Sequence, residues 1–172
     1  MILKAFKVRS NQKYINKLLN ARSVAVSNTK MTSVGVILNS SEFIDFEAFR
    51  AFFKTLGLQQ ARVKIIAFVE DPKDSNVLWD TYFNPKDFGW RGKIKNIDLQ
   101  SFIDAKFDVL ISYYGVNHLE TNMVTASSKA NFKVGLTNED ERLYDLMIDV
   151  KTNEFSVFKV ELKKYLTVLN KL

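Results

Sequence analysis

The chain predicts a three-layer α/β fold, a mostly parallel open sheet with helices on both faces, preceded by a basic helical extension. Three observations carry this. Short apolar runs alternate with amphipathic segments four or five times. One run, Phe107 to Tyr114, is apolar almost throughout, as a strand buried on both faces requires. The basic excess stands ahead of this alternation, within the first 41 positions. Right-handed crossovers between such units give a doubly wound, Rossmann-like sheet.

Residues 3 to 22 hold helix formers with apolar positions at Leu3, Phe6, Ile15, Leu18 and Leu19. The run Arg9 to Lys13 is polar all round, which predicts a helix or helix pair that packs loosely on the body or projects from it. Ser23 to Thr32 reads as a linker with a short extended piece at Val24 to Val26. The domain boundary follows, with an arm and linker over 1–31 and the α/β domain over 32–172.

Val34 to Leu38 is a compact apolar strand. Asn39-Ser40-Ser41-Glu42 offers N-cap chemistry at capping-box spacing. Phe43, Phe46, Phe49, Phe53 and Leu56 recur at helical spacing before Gly57. Val63 to Val69 is the second strand, and Glu70 to Asp74 a turn. Residues 75 to 92 are irregular and rich in aromatics (Trp79, Tyr82, Phe83, Phe88, Trp90), with a short strand expected at Lys93 to Asn96. Asp98 caps a helix running to Ala105. The buried strand follows, then a helix from His118 to Ala130 and a strand from Phe132 to Leu136. Tyr144, Leu146, Ile148 and Val150 show half-buried strand periodicity, and Phe155 to Leu169 closes the chain as an amphipathic helix.

Composition excludes much chemistry. The chain has no cysteine, so disulfides, thiolate nucleophiles, iron–sulfur clusters and cysteine zinc sites are impossible. A single histidine cannot build a histidine-rich metal centre. The six glycines form neither G-x-G-x-x-G nor a P-loop. No cofactor and no metal are expected. Lys outnumbers Arg 19 to 6, as in a bacterial, AT-rich genome, and the lack of cysteine and of a secretory leader predicts a cytoplasmic protein.

Charge points to a partner. Lys4, Lys7, Arg9, Lys13, Lys17, Arg22 and Lys30 precede the first carboxylate, Glu42, while the remaining 18 cations nearly balance 19 acids. An uncompensated basic segment attracts polyanions. Lys86, Arg91, Lys93 and Lys95 surround Trp90, an interleaving that can stack bases and neutralise phosphates. The plain alternative is a satellite core of Trp79, Phe83 and Trp90 with lysines turned outward.

The stretches Phe83-Asn84-Pro85-Lys86-Asp87-Phe88-Gly89-Trp90, Ser128 to Gly135 and Arg142-Leu143-Tyr144-Asp145-Leu146 resemble an uncharacterised Bacteroidota family of small proteins. Asp108-Val109-Leu110-Ile111 and the Ala-Asn-Phe-Lys-Val-Gly segment are similar, more weakly, to the N-terminal half of heptosyltransferase-like GT-B enzymes. That second likeness implies an isolated half lacking the donor-sugar domain, and so no sugar transfer by this chain alone.

The leading expectation is a non-catalytic module engaging RNA or a ribonucleoprotein through the arm and the Trp90 loop. Its contacts would be Lys4, Lys7, Arg9, Lys13, Lys17, Arg22, Lys86, Arg91, Lys93 and Lys95. A small-molecule binder or enzyme is the rival, with a pocket at the strand ends near Ser40, Glu70, Tyr113, His118 and Asn138. There His118 is the one candidate general acid or base. A third expectation is docking of the arm on a membrane surface or protein partner. It ranks lower because Arg9 to Lys13 interrupts any apolar face. The acidic clusters Glu70-Asp71 with Asp74, Glu139-Asp140-Glu141, and Asp145 with Asp149 read as solvated turns.

Overall fold

The computed structural model describes residues 2–23, 29–71, 73, 81–136 and 140–172. Its strands are β1 (Val34–Asn39), β2 (Val63–Phe68), β3 (Tyr82–Phe83), β4 (Val109–Tyr113), β5 (Phe132–Leu136) and β6 (Leu146–Ile148). They lie in the order β3-β2-β1-β4-β5-β6, and every pairing is parallel. This is the doubly wound order, and its direction reverses between β1 and β4. The helices are α1 (Ile2–Ala21), α2 (Phe46–Thr55), α3 (Ile97–Asp104), α4 (Leu119–Ser127) and α5 (Phe155–Val168).

Side-chain alternation along the strands feeds two cores, one on each face. Val36, Leu38, Ile111, Tyr113, Val134 and Ile148 meet Phe49 and Phe53 of α2 and Phe158, Leu162 and Leu166 of α5. Ile37, Ile66, Phe68 and Leu110 point the other way, onto Leu99, Phe102 and Ile103 of α3, Met123 and Val124 of α4, and Ile15 and Leu19 of α1. The N-terminal helix is thus the third helix of that second layer. Gly135 leaves room on the same face for the Tyr144 ring, which a Cβ would strike.

Several local expectations change. The arm is one helix of 20 residues, not a pair, and its second half is built into the core through Asn11, Ile15 and Leu19. Only its first turns project, leaving Ile2 73%, Leu3 75% and Phe6 57% exposed. Asn39 and Glu42 do not cap α2. That helix starts later, capped by Asp45, whose carboxylate accepts the Ala48 N–H at 3.0 Å. The reason is Phe43, which turns into the aromatic cluster of Phe49, Tyr113 and Phe155 before the helix begins. The cap of α3 is Asn96, with Asp98 in the first turn. Helix α4 ends at Ser127, because Ser128 adopts an extended ψ of 136°.

Within the stretch read as irregular, Tyr82–Phe83 adds a two-residue edge strand beside Ala67 and Phe68, which buries Phe83 completely. The strand expected at Lys93 to Asn96 reduces to one antiparallel bridge between Phe88 and Ile94. The expected last strand shortens to Leu146–Ile148, because Tyr144 turns inward under Gly135. The extended piece at Val24 to Val26, and Trp79, lie outside the described residues.

Candidate functional site

A buried asparagine joins the arm to the aromatic loop. Asn11, 2% exposed, donates its Nδ2 to the Gly89 carbonyl at 3.0 Å and accepts the Gly92 N–H on Oδ1 at 3.1 Å. From the preceding position, Ser10 Oγ accepts the Arg91 N–H at 3.3 Å. The Tyr14 ring packs against Gly92, where a Cβ would collide with it and where φ of 75° also favours glycine. An amide in mid-helix is ordinarily unfavourable, and here the loop backbone satisfies it.

The loop is a tight reversal. Lys93 N donates to the Trp90 carbonyl at 3.1 Å, Gly89 N donates to the Lys93 carbonyl at 2.7 Å, and both central residues have positive φ. Arg91 at φ 54° is therefore a non-glycine residue held in the left-handed region, a conformation that costs roughly 1 kcal/mol. The turn presents Trp90, 49% exposed, at its corner, while Phe83 and Phe88 are buried beneath it. The satellite-core alternative therefore holds for Phe83 and fails for Trp90, while Trp79 lies outside the described residues.

On a helix, residues 13 and 17 lie one turn apart on the flank next to Ser10 and Tyr14, with Arg9 beside them on the outer ridge. Lys13, Lys17, Arg9 and Lys4 are exposed on α1, and Lys86, Arg91, Lys93 and Lys95 are exposed around the loop. Lys7 is half-exposed. Among the described residues none of these nine forms a salt bridge. Asn11 and Ser10 thus fasten a helix and a loop, each carrying exposed cations, directly to one another.

Arg22, the tenth expected contact, is different. Its Nη2 pairs with Asp145 Oδ2 at 2.6 Å, where the two side chains are 16% and 2% exposed, and its Nη1 donates to the Arg142 carbonyl at 3.1 Å. This corrects its reading as a polyanion contact, because a cation engaged with a buried carboxylate is not available to phosphate. Arg142 completes the fastening of α1. It pairs with Asp140 at 2.7 Å and donates to Asn20 and Asn16 at 2.9 and 3.0 Å. The guanidinium holds the Asp140 carboxyl below the ordinary carboxylate range. Asp145 also accepts the Lys133 N–H, and the buried Lys133 ammonium donates to the Thr125 and Ala126 carbonyls at the end of α4. Burial, with Arg22 close by, lowers the Lys133 amine to about 8, although Asp145 works in the opposite direction.

The strand-end pocket takes another form. At the reversal between β1 and β4, the Glu42 carboxylate accepts the N–H groups of Gly115 and Val116 at 2.8 and 3.1 Å, and Asn39 Nδ2 steadies it at 2.8 Å. The backbone donors that a ligand phosphate would use in such a crevice are engaged by the chain's own carboxylate. Tyr113 and His118 point to opposite faces of the sheet. Tyr113 is fully buried among Phe43, Phe49, Phe155 and Phe158, its hydroxyl donating to the Thr152 carbonyl at 2.9 Å. That corrects its reading as a pocket residue. Ser40 donates its N–H to the Phe68 carbonyl, Glu70 is exposed, and Asn138 lies outside the described residues.

His118 does line a cavity. Its ring packs on Phe68 with centroids 4.7 Å apart, at the edge of a hollow of about 550 Å³ between α1 and α4. No three potential metal ligands stand together among the described residues, and no helix there is long and apolar enough to cross a membrane. Asp74 and Glu139, from two of the acidic clusters, also lie outside the described residues.

Asn11 and Glu42, the two residues that organise the loop and the crevice, were not singled out as site residues by sequence reasoning. The only signal for Asn11 was its presence in a polar interruption of a helix, and Glu42 was read as half of a cap. No curated protein and no solved structure matches the chain. A family model does match, over residues 7–169, from the second turn of α1 to the end of α5, so the chain belongs to DUF6913, a family of unknown function.

Proposed function

We propose that the protein is a non-catalytic binding module that holds single-stranded RNA, free or within a ribonucleoprotein, across α1 and the Trp90 loop. The observation that carries this is the pair of Asn11 hydrogen bonds that joins the basic helix to the basic loop and its exposed indole. Arg9, Lys13, Lys17, Arg91, Lys93 and Lys95 neutralise phosphates, and a base stacks on Trp90. Such contacts position a strand without reading its sequence. Glu42 supports a binding rather than a catalytic role, because it takes up the backbone donors of the usual nucleotide crevice. On this reading the protein works in the bacterial cytoplasm.

Fluorescence anisotropy with labelled oligouridylate tests the proposal. Binding that weakens at least tenfold in Lys13→Glu/Lys17→Glu and about tenfold in Trp90→Ala supports it. Absence of binding at low salt refutes it.

The exposed Ile2, Leu3 and Phe6 beside Lys4, Lys7 and Arg9 favour a second reading, attachment of the helix tip to an anionic membrane. Sedimentation with phosphatidylglycerol vesicles separates the two. Pelleting that depends on Phe6 and not on Trp90 favours the membrane.

A further inference from the structure

The hollow between α1 and α4 is lined by Val8, Gln12 and Ile15 on one side and by Asn117, His118, Leu119 and Asn122 on the other, with Asp140, Arg142 and Leu143 closing it. It opens at the carboxyl end of β4, where ligands of doubly wound sheets bind, but on the α1 side of the sheet and away from the Glu42 crevice.

Its polar groups are oriented from within. Buried Tyr114 donates to Asn122 Oδ1 at 3.2 Å, and Asn122 Nδ2 donates to Asn117 Oδ1 at 3.2 Å. That sequence leaves the Asn117 NH₂ as a donor for the hollow. The His118 imidazole caps no helix N–H, and among the described residues neither ring nitrogen has a hydrogen-bond partner, so it offers a donor and an acceptor. Asp140 and Arg142 largely cancel each other in charge. The apolar wall of Val8, Ile15, Leu119 and Leu143 faces these groups. Arg9, exposed, lies one helical turn before Gln12 and is its neighbour on the helix surface.

We propose that this cavity accepts a single nucleotide, either free or as one unit of a bound strand. A planar heterocycle with mixed donors and acceptors meets both the apolar wall and the amide and imidazole groups, while its phosphate reaches Arg9. Inorganic phosphate has nothing to place against the wall, and a purely apolar ligand would leave the polar groups without partners. The strand-borne form rests on the RNA reading above, and the free form does not.

The test is isothermal titration of AMP, GMP, CMP and UMP, separately, into the full chain and into His118→Ala, Gln12→Leu and Val160→Ala, the last an exposed position on α5 across the sheet. One-site binding of at least one nucleotide is expected, about tenfold weaker in His118→Ala and in Gln12→Leu, and unchanged in Val160→Ala. Gln12 is exposed and carries no fold contact among the described hydrogen bonds, so its variant reports on the cavity even if His118→Ala folds poorly. No binding at millimolar nucleotide, or wild-type affinity in both cavity variants, overturns the proposal. Mononucleotide binding without oligouridylate binding supports the cavity and refutes the RNA surface. Oligouridylate binding without any mononucleotide binding does the reverse.

Discussion

Glu42 and Gly115 close the sheet at the point where its winding direction reverses. The Glu42 carboxylate lies 2.8 Å from the Gly115 N–H and also holds the next N–H, so a side chain from the loop after β1 organises the backbone after β4. Charged hydrogen bonds of this kind contribute more than neutral ones. Glu42→Ala is expected to lower unfolding free energy by roughly 2 kcal/mol, with Glu42→Gln retaining part of that, since a neutral amide oxygen still accepts. Urea denaturation of the three proteins decides it, and equal stabilities would contradict the role assigned to the carboxylate.

Asn11 has the same importance for the other loop. Replacing it with Leu leaves the Gly89 carbonyl and Gly92 N–H without their partner in a buried place, a loss of roughly 2 to 4 kcal/mol for two such groups. Asn11→Leu should also loosen the Trp90 turn. Faster amide hydrogen exchange at residues 89–93 than in β4 is the expected outcome.

Arg91 offers a test in the opposite direction. At φ 54° an arginine carries strain that glycine does not. Arg91→Gly is expected to stabilise the protein by about 0.5–1 kcal/mol while weakening polyanion binding, a separation of stability from function. A thermal melt and an anisotropy titration on one sample measure both.

Salt dependence counts phosphate contacts. Each cation that neutralises a single-strand phosphate contributes about 0.7 to the slope of log K against log salt. Lys13→Ala/Lys17→Ala should therefore flatten the slope by about 1.4, whereas Arg22→Ala should change stability and leave the slope alone, because Arg22 is engaged with Asp145.

Lys133 predicts a pH effect. Its amine falls from 10.5 to about 8 in the fold, chiefly through burial. Between those values the unfolded chain binds more protons, so this residue's contribution to stability rises with pH across that window. Below pH 8 the ammonium is present in both states and the burial penalty is complete; above 10.5 it is absent from both. The difference in unfolding free energy between wild type and Lys133→Met should move toward wild type by up to roughly 3 kcal/mol from pH 7 to beyond 10.5. A flat difference would show that the amine titrates alike in both states.

Much of the architecture was legible because it depends on local pattern. The apolar runs of β1, β2, β4 and β5, the phenylalanine spacing of α2 and the final helix follow from side-chain periodicity, which any neighbouring layer must respect. The uncompensated charge of the first 41 residues, and the impossibility of cysteine chemistry, are properties of composition alone. Caps were misplaced where a nearby aromatic had a stronger claim, as Phe43 did ahead of α2.

The tertiary structure alone decided which polar residues meet. Asn11 and Gly92 are separated by 81 positions, and Glu42 and Val116 by 74, and no local propensity encodes such pairs. Burial then sorted residues that look alike in the sequence. Arg22 became a structural ion pair and Lys13 remained a free cation, because one reaches a buried carboxylate and the other faces solvent. A desolvated charge or amide must find a partner, and only the assembled chain determines which one is within reach.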